Sequence, residues 1–394
     1  MKRTQADVIV IGSGIVGCSA AYYLTKQGLS VICLEKSSQI GDGSSTRNGG
    51  GARQSGRDER EIELAIYATR HIWPTLKDEL GIDPEWRQNG YLCCGYNEDH
   101  KKSLEQRIRV AARYGIEMEM MEGDEIKRRN PYVSDHVTVA TWTPQDAVVN
   151  PLLATLGYYR RARQLGAVFY TGVEVTALGT RRGRIREVIA ADGTVYEADA
   201  VILAAGYFSR KIYNTVGLDV PVFKRLIEIF ITEAMPPMFH EMVGGMSGFY
   251  GHQTEHGSFI FGNSTGREMC FSELPFGDEL VSTSYNVCNI ARTIGVDFPA
   301  LAQAKIIRHW SGWHDTTPDG VPIVGAADAI PGLYLSFGAC GHGFCPGPAI
   351  GYILAGMSQG TPSPVDLSGL RYDRFDYASN IAAGNIDRQP TGVK

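Results

Sequence analysis

The order of apolar and polar residues changes period three times within the first 35 positions. Val8-Ile9-Val10-Ile11 is a continuous apolar run of strand length, which predicts a strand buried on both faces. Glycines follow at 12, 14 and 17, and apolar positions then recur at helical spacing. A second apolar run over 29–34 ends at Glu35. Strand, glycine turn, helix and strand together make a βαβ unit.

Helical periodicity returns over 58–80, and the neighbourhood of Leu92 predicts a short strand. Residues 100–114 read as a charged amphipathic helix, another helix starts at Gly123-Asp124-Glu125, and 148–165 predict a long one. A strand is expected over 169–175. The segments 184–190 and 195–197 flank Ala191-Asp192-Gly193, a hairpin signal, and 199–206 reads as a buried strand ending in a glycine turn. Between 221 and 313 the period shortens to two, with antiparallel strand patterns at 227–232, 248–252 and 257–262. A strand at 333–337, a glycine turn at 338–344 and a small-residue helix at 348–357 close the pattern. From Gly360 the composition predicts a surface tail. No internal repeat is visible.

Composition narrows the class. A chain of 394 residues suffices for two domains, and 43% hydrophobic with 21% charged residues is ordinary for a soluble globular protein. A net charge of -5 gives no reason to expect nucleic acid or an anionic membrane as partner. No apolar stretch approaches the roughly 20 residues of a membrane span. The apolar run after Met1-Lys2-Arg3 is short and flows into the glycines, so it reads as a core strand rather than a secretion signal. The eight cysteines include no CxxC pair and no metal-ligand spacing, which predicts reduced thiols, a cytoplasmic setting and no metal.

The βαβ unit carries the chemistry. Gly12 permits the tight turn, Gly14 lets the backbone approach a pyrophosphate, and Gly17 lets the helix pack on the strand. The helix N-terminus offers N–H groups and a positive dipole end to phosphate. Glu35 suits a ribose diol and opposes the extra phosphate of NADP; NAD and FAD both remain open. Residues 37–57 then hold six glycines, with Arg47, Arg53 and Arg57 among them. That is too long and too glycine-rich for a connector, and it predicts a loop wrapped around a ligand.

GSGIVG, Glu35, STRNGGGARQ, the AAG at 204–206, the TPDG at 317–320 and GACGHGF at 338–344 resemble, over essentially the whole length, the D-amino-acid-oxidase-type flavoproteins. Within them the chain resembles the β subunits of dye-linked L-proline dehydrogenase, heteromeric sarcosine oxidase and opine dehydrogenases; Arg-Asn-Gly-Gly-Gly-x-Arg-Gln suggests the opine type. The resemblance implies an α/β plus α+β fold: a Rossmann-like FAD-binding domain with a second substrate domain built on an antiparallel sheet. The FAD-binding domain would comprise 1–88, 143–218 and 315–380, the substrate domain 89–142 and 219–314, with a tail at 381–394.

The resemblance also implies non-covalent FAD. Gly12, Gly14, Ile15, Val16, Gly17, Glu35 and Lys36 would hold its ADP half, with the backbone near Val175 at the adenine. Ser44, Ser45, Thr46, Arg47, Gly49 and Gly50 would follow the pyrophosphate toward the ring, near Ala205 and Gly206. Gly341, His342, Gly343 and Phe344 would lie beside the isoalloxazine. Arg53 is the expected clamp for a substrate carboxylate. Tyr250, His252, His314 and His342 are the other expected catalytic groups. Cys345 stands where monomeric sarcosine oxidases carry a lysine that reacts with oxygen, which favours a dehydrogenase. Gly312 stands where they attach FAD through cysteine. Gln145 stands where heteromeric β chains attach FMN through histidine, so FMN at a subunit interface would be non-covalent. The expected activity is C–N oxidation of an opine, proline, hydroxyproline or sarcosine, with an α subunit and a small iron–sulfur γ subunit as partners. The alternative is a stand-alone oxidase of D-amino acids, glycine or sarcosine that makes hydrogen peroxide.

Exchange of Glu35 for Ala is expected to weaken FAD retention without altering substrate preference. Flavin absorbance per mole of protein after gel filtration checks the first part. A changed substrate profile at full FAD occupancy would contradict the assignment of Glu35 to the ribose.

Overall fold

The computed structural model describes residues 4–262 and 285–375. The strand Gln5–Ile11 has Val8 to Ile11 at most 3% exposed, as a central parallel strand requires. It pairs in parallel with Val31–Leu34 on one side and Val195–Leu203 on the other. Val168–Tyr170 and Leu333–Phe337 extend the sheet in parallel, and Ile323–Ala326 closes one edge antiparallel. Val175–Arg181 and Arg184–Ala190 fold onto Val195–Leu203 as an antiparallel flap. The helices Ile15–Lys26, Pro151–Gln164 and Gly347–Ser358 bury one face of this eight-stranded sheet. The flap and the helix Ser209–Tyr213 bury the other.

A second eight-stranded sheet runs in the order Ile306–Thr316, Phe223–Ala234, Ser258–Gly262, Phe249–Gln253, Met242–Gly245, Tyr91–Gly95, Val139–Thr143 and Glu119–Glu122. All its pairings are antiparallel except that between Met242–Gly245 and Tyr91–Gly95. One face packs its aromatic residues, Phe230, Phe249, Phe259 and Phe261, against the helix Tyr285–Asp297. The other face carries Tyr91, Cys93, Met242 and Tyr250 and packs on Leu104 and Val148. The two-domain α/β plus α+β architecture matches the expectation, while the strand Ile306–Thr316 runs two residues past the expected boundary at 314.

Several expected elements shift, each for a local reason. The helix expected from 148 begins at Pro151, because Asn150 caps the amides of Leu152 and Leu153 and proline suits the first helical position. Ala147 and Val148 instead pair with Gly51 and Ala52. The helix expected over 58–80 is interrupted after Tyr67 by a wider π-type turn and by Pro74, and resumes at Leu76–Leu80. The strand expected over 169–175 breaks at Gly172, whose φ is +70°. The strands expected at 195–197 and 199–206 are one strand, Val195–Leu203. The tail expected from Gly360 is packed at least to 375. Leu370 is fully buried, and Arg374 pairs with Asp319 at 2.9 Å. The tail at 381–394 lies outside the described residues.

One buried acid fixes how the glycine-rich segment enters this architecture. Asp146 Oδ1 accepts the amides of Gln54 at 2.6 Å and Ser55 at 3.3 Å, and Oδ2 accepts the Ser55 hydroxyl. The segment is thereby tied to the first residues after the strand Val139–Thr143. Exchange of Asp146 for Ala removes a buried acceptor of three hydrogen bonds and is expected to cost about 3 kcal/mol of stability. Urea unfolding measures this, and a loss below about 1 kcal/mol would show that the segment is held by other means.

Candidate functional site

Residues 44–53 cross beneath the second sheet, and each step meets a different strand. The Arg47 carbonyl accepts from Trp310 Nε1 at 3.2 Å, and the Gly49 amide donates to the Tyr250 hydroxyl at 3.0 Å. Gly51 lies against Met242, and the Arg53 guanidinium stands 5.3 Å from the centre of the Tyr91 ring. The glycines are needed for this close approach. A Cβ added at 49 would come within 2.9 Å of the Tyr250 ring, and one at 51 within 2.8 Å of Met242 Sδ. Residues directly opposite one another on neighbouring strands share a face. Tyr250 is opposite Gly262, Gly262 opposite Ile229, and Ile229 opposite Trp310. The face turned to the segment therefore also carries Ile227, opposite Gly312, and Arg225, opposite His314.

The nucleotide end fits FAD. A Cβ on Gly17 would lie 1.9 Å from the Gly12 carbonyl oxygen, so only glycine permits this helix–strand approach. The helix Ile15–Lys26 starts with Gly14 at its cap and no acid in its first turn. Its amides are thus left for an anion, apart from that of Ile15, which Ser45 Oγ accepts at 2.9 Å. Ile15 itself is buried and Val16 packs on the core. Glu35 is held by Ser13, whose amide and hydroxyl donate to Oε2 at 2.8 and 2.7 Å, and by the Ser37 amide on Oε1. The Val173 amide donates to the Glu35 carbonyl, which places the approach to Val175 beside this acid. Lys36 Nζ sits 3.4 Å from the centre of the Phe208 ring. Ala205 and Gly206 follow Ala204, whose carbonyl oxygen crowds Gly12. Ser44 Oγ donates to the Trp313 carbonyl, Thr46 Oγ1 donates to that of Gly41, and Gly50 N donates to Asn48 Oδ1. Arg47 pairs with Asp42 at 2.7 Å.

The far turn meets the segment from the other side. Gly341 presses against His314, since a Cβ there would be 2.5 Å from its ring. His314 sits deep in the protein, and burial, with His342 and Arg225 adding to it, lowers its pKa to about 3, so the ring is neutral. Beside it, burial raises the Asp315 carboxyl to about 6 against the amides of Gly338 and Ala339 that hold it. His342 Nδ1 lies 3.1 Å from Glu61 Oε1, and Gly343 follows it in the turn. The Phe344 side chain turns into the core against Trp73. The buried Cys345 thiol donates to the Arg53 carbonyl at 3.4 Å, and burial pushes its pKa to about 11.

Tyr250 meets the glycine segment directly, while Arg53, His314 and His342 are linked through Cys345, Arg57 and Gly341. His252 is elsewhere. It lines a cavity of about 620 Å³ bounded by Asn48, Gly49, Asn150, Ile231 and Arg308, whose walls include none of the other four. Sequence reasoning missed Ser13, Glu61, Asp146 and Asp315. For Ser13 the signal was its place inside the glycine motif. Glu61, Asp146 and Asp315 are single acids in unremarkable surroundings, and only the fold makes them buried.

The profile of the FAD dependent oxidoreductases matches residues 7–357. The chain is an FAD-dependent oxidoreductase of the DAO family. It is 25% identical over 401 residues to sarcosine oxidase subunit beta of Rhizobium meliloti (strain 1021), covering 98% of this chain and 92% of that protein. It is 25% identical over 372 residues to glycine oxidase of Bacillus licheniformis, covering 91% and 95%. The structure of L-proline dehydrogenase from P. horikoshii superposes with a TM-score of 0.86 at 25% identity, covering 97% of this chain and 99% of that one. This DAO-family enzyme thus uses FAD and acts on C–N donors of the amino-acid and amine class. Among the described residues no helix is long and apolar enough to cross a membrane.

Burial alone lowers the His252 pKa to about 4. A histidine with a depressed folded-state pKa contributes stability that is complete above its unfolded value near 6.5 and is lost as pH falls toward 4. The loss on acidification to pH 4 amounts to about 3 kcal/mol for this group. Denaturant unfolding of the enzyme and of His252→Gln at pH 7.5, 6, 5 and 4 is expected to show a shallower acid decline in the variant. Parallel declines would mean that His252 is not buried neutral.

Proposed function

We propose that the chain is the FAD-carrying β subunit of a heteromeric dehydrogenase that oxidises the C–N bond of a secondary-amine amino acid of the opine, proline, hydroxyproline or sarcosine type. The observation that carries this reading is Arg53 at the inner end of the glycine segment, against the Tyr91 ring. There the guanidinium would receive a carboxylate bidentately. Farther along the same sheet face, Ile227, Ile229 and Gly262, with the neutral His314 and Arg225, disfavour an ammonium. A substrate amine would bind deprotonated, its lone pair ready to assist loss of the adjacent hydride, so no strong general base is needed. FAD, when bound, supplies the two-electron acceptor. The imine that leaves is hydrolysed by water. Tyr250 keeps its hydroxyl on Gly49 and shapes the wall.

Two features favour a dehydrogenase in a complex. Cys345, where oxidases of this type carry lysine, is a buried protonated thiol and offers no cation to oxygen. Relatives named sarcosine oxidase subunit beta support partner subunits, for which the resemblance implies an α and a small iron–sulfur γ chain. Gln145 takes the amide of Glu117 on its side chain, so any FMN at that interface would be non-covalent. The likeness to glycine oxidase supports the second reading, a stand-alone oxidase.

The test is a screen of octopine, nopaline, L-proline, hydroxyproline, sarcosine and glycine with the purified chain, alone and co-purified with its partners, against a reducible dye and against oxygen. Dye reduction by a secondary amine with little hydrogen peroxide is expected. Rapid peroxide formation by the isolated chain overturns the dehydrogenase reading. Arg53→Met is expected to raise KM for the active amine by about 30-fold or more, as loss of one partner of an enclosed ion pair does. An unchanged KM would remove Arg53 from the carboxylate site.

A further inference from the structure

Glu61 is an acid in the first turn of the helix Glu59–Tyr67, yet its side chain is 1% exposed. Its burial is arranged rather than incidental. Arg57, one turn earlier and itself 4% exposed, places Nη1 3.3 Å from Glu61 Oε1. The same arginine donates Nε to the Arg53 carbonyl at 2.7 Å and both terminal nitrogens to the His342 carbonyl at 3.4 Å. It thus ties together the helix Glu59–Tyr67, the segment that carries Arg53, and the turn that carries His342. On its far side the same Glu61 oxygen lies 3.1 Å from His342 Nδ1.

An acid placed only to hold the fold would use both oxygens. Glu61 Oε2 and His342 Nδ1 are both buried with no hydrogen-bond partner among the described residues, while Oε1 lies at ion-pair distance from Arg57 Nη1 and 3.1 Å from His342 Nδ1. Burial alone would raise its pKa, but Arg57 and His342 outweigh burial and hold it below the ordinary carboxylate range. The acid is therefore ionised. An ionised carboxylate can only accept, so a short approach to Nδ1 is favourable when Nδ1 carries its hydrogen. In histidine the partner of one ring nitrogen decides what the other is free to do.

We propose that Glu61 is a positioning residue for the C–N oxidation: it holds the His342 imidazole through Nδ1 and leaves Nε2 as the ring atom that meets cofactor and substrate. Arg57 keeps Glu61 charged and carries the same constraint to the backbone of Arg53. The orientation of His342 and the placement of the carboxylate clamp are then set by one buried ion pair. The other ionisable groups around His342 do not compete for this role. His314 is neutral; Asp315 is held by the amides of Gly338 and Ala339; Cys340 is a thiol raised to about 11 by burial; and Arg225 lies on the far strand opposite His314. The proposal rests on the placement of His342 at the flavin end, not on the identity of the amine.

Nitrogen-15 spectra of histidine-labelled holoenzyme test it, with the His342 signals assigned by their loss in His342→Gln. The neutral His342 ring is expected to carry its hydrogen on Nδ1 in the wild type, and Glu61→Leu is expected to release it to the usual Nε2–H form. An unchanged tautomer in Glu61→Leu overturns the proposal. If that variant does not fold, Glu61→Gln with the flavin midpoint potential decides. Glu61→Gln is expected to shift the potential when His342 is present and to leave it unmoved in the His342→Gln background. Equal shifts in both backgrounds would make Glu61 a structural or through-space charge only. Neither readout uses a substrate, so failure of the proposed amine specificity leaves this test standing. With an active amine, Glu61→Gln is expected to lower kcat/KM by about tenfold or more and to change its pH profile, both only while His342 is present.

Discussion

The site depends on a main chain that passes between two sheets with almost no side chains of its own. From Gly49 to Gly51 the segment lies against Tyr250 and Met242, where an added Cβ would stand less than 3 Å from the facing side chain. The approach is possible only because three consecutive residues lack side chains, and glycine is costly to order. That cost explains why the segment is fastened so heavily at both ends. Ser45 binds the first turn of the nucleotide helix, Thr46 binds Gly41, and Asp146 collects Gln54 and Ser55. Gly50 is close to the Val149 backbone, while Gly51 and Ala52 form a short ladder with Ala147 and Val148. The segment is a rigid floor rather than a loose loop.

The same constraint determines where charge can be placed. A floor made of backbone cannot present charge, so the cations arrive at its ends: Arg47 paired outward with Asp42, and Arg53 and Arg57 inward. The sheet face above it carries Ile227, Ile229, Gly262 and an uncharged His314, with Arg225 beyond them and no acid among these positions. A chamber of this kind selects by charge position. On the reading proposed above it would take a carboxylate at Arg53 and a neutral nitrogen on the adjacent carbon, which is the shared core of the α-amino acids and their N-substituted derivatives. The rest of the substrate must lie against the sheet, where shape rather than charge discriminates.

Much of this was legible in the sequence because backbone requirements leave marks. The apolar run at 8–11 and the glycines at 12, 14 and 17 predicted a buried strand and a helix start, and both are there, with Glu35 at the end of the next strand beside Ser13. Gly341 and Arg53, some 290 residues apart, were assigned to one site through resemblance. The structure shows how they meet, through Cys345, Arg57 and the turn between them. What the sequence hid were groups whose role comes only from tertiary burial. Glu61 occupies a position that looks solvated in a helix with Glu59 and Glu63 beside it, and Asp146 looks like any loop acid. Periodicity misled where a cap or a proline outweighed it, at Asn150-Pro151 and at Pro74. His252 shows a different limit. Alternation along Phe249–Gln253 puts it on the same face as Tyr250, but strand spacing carries it past the glycine floor into a separate cavity.

The division at that floor bears on how electrons leave. On one side lie the Arg53 and His342 groups that would meet the amine; on the other lies the cavity of about 620 Å³ lined by Asn48, Gly49 and His252. If the segment between them follows the cofactor as proposed, both compartments would border the same redox centre. Cys345, buried and protonated, offers no charge to reduced oxygen on the substrate side. An acceptor reaching the protein from outside need not then pass through the amine site. Separation of the donor from the acceptor is what a dehydrogenase needs and an oxidase does not, because molecular oxygen is small enough to enter beside the product. The separate cavity and Cys345 thus both support the proposed dehydrogenase reading.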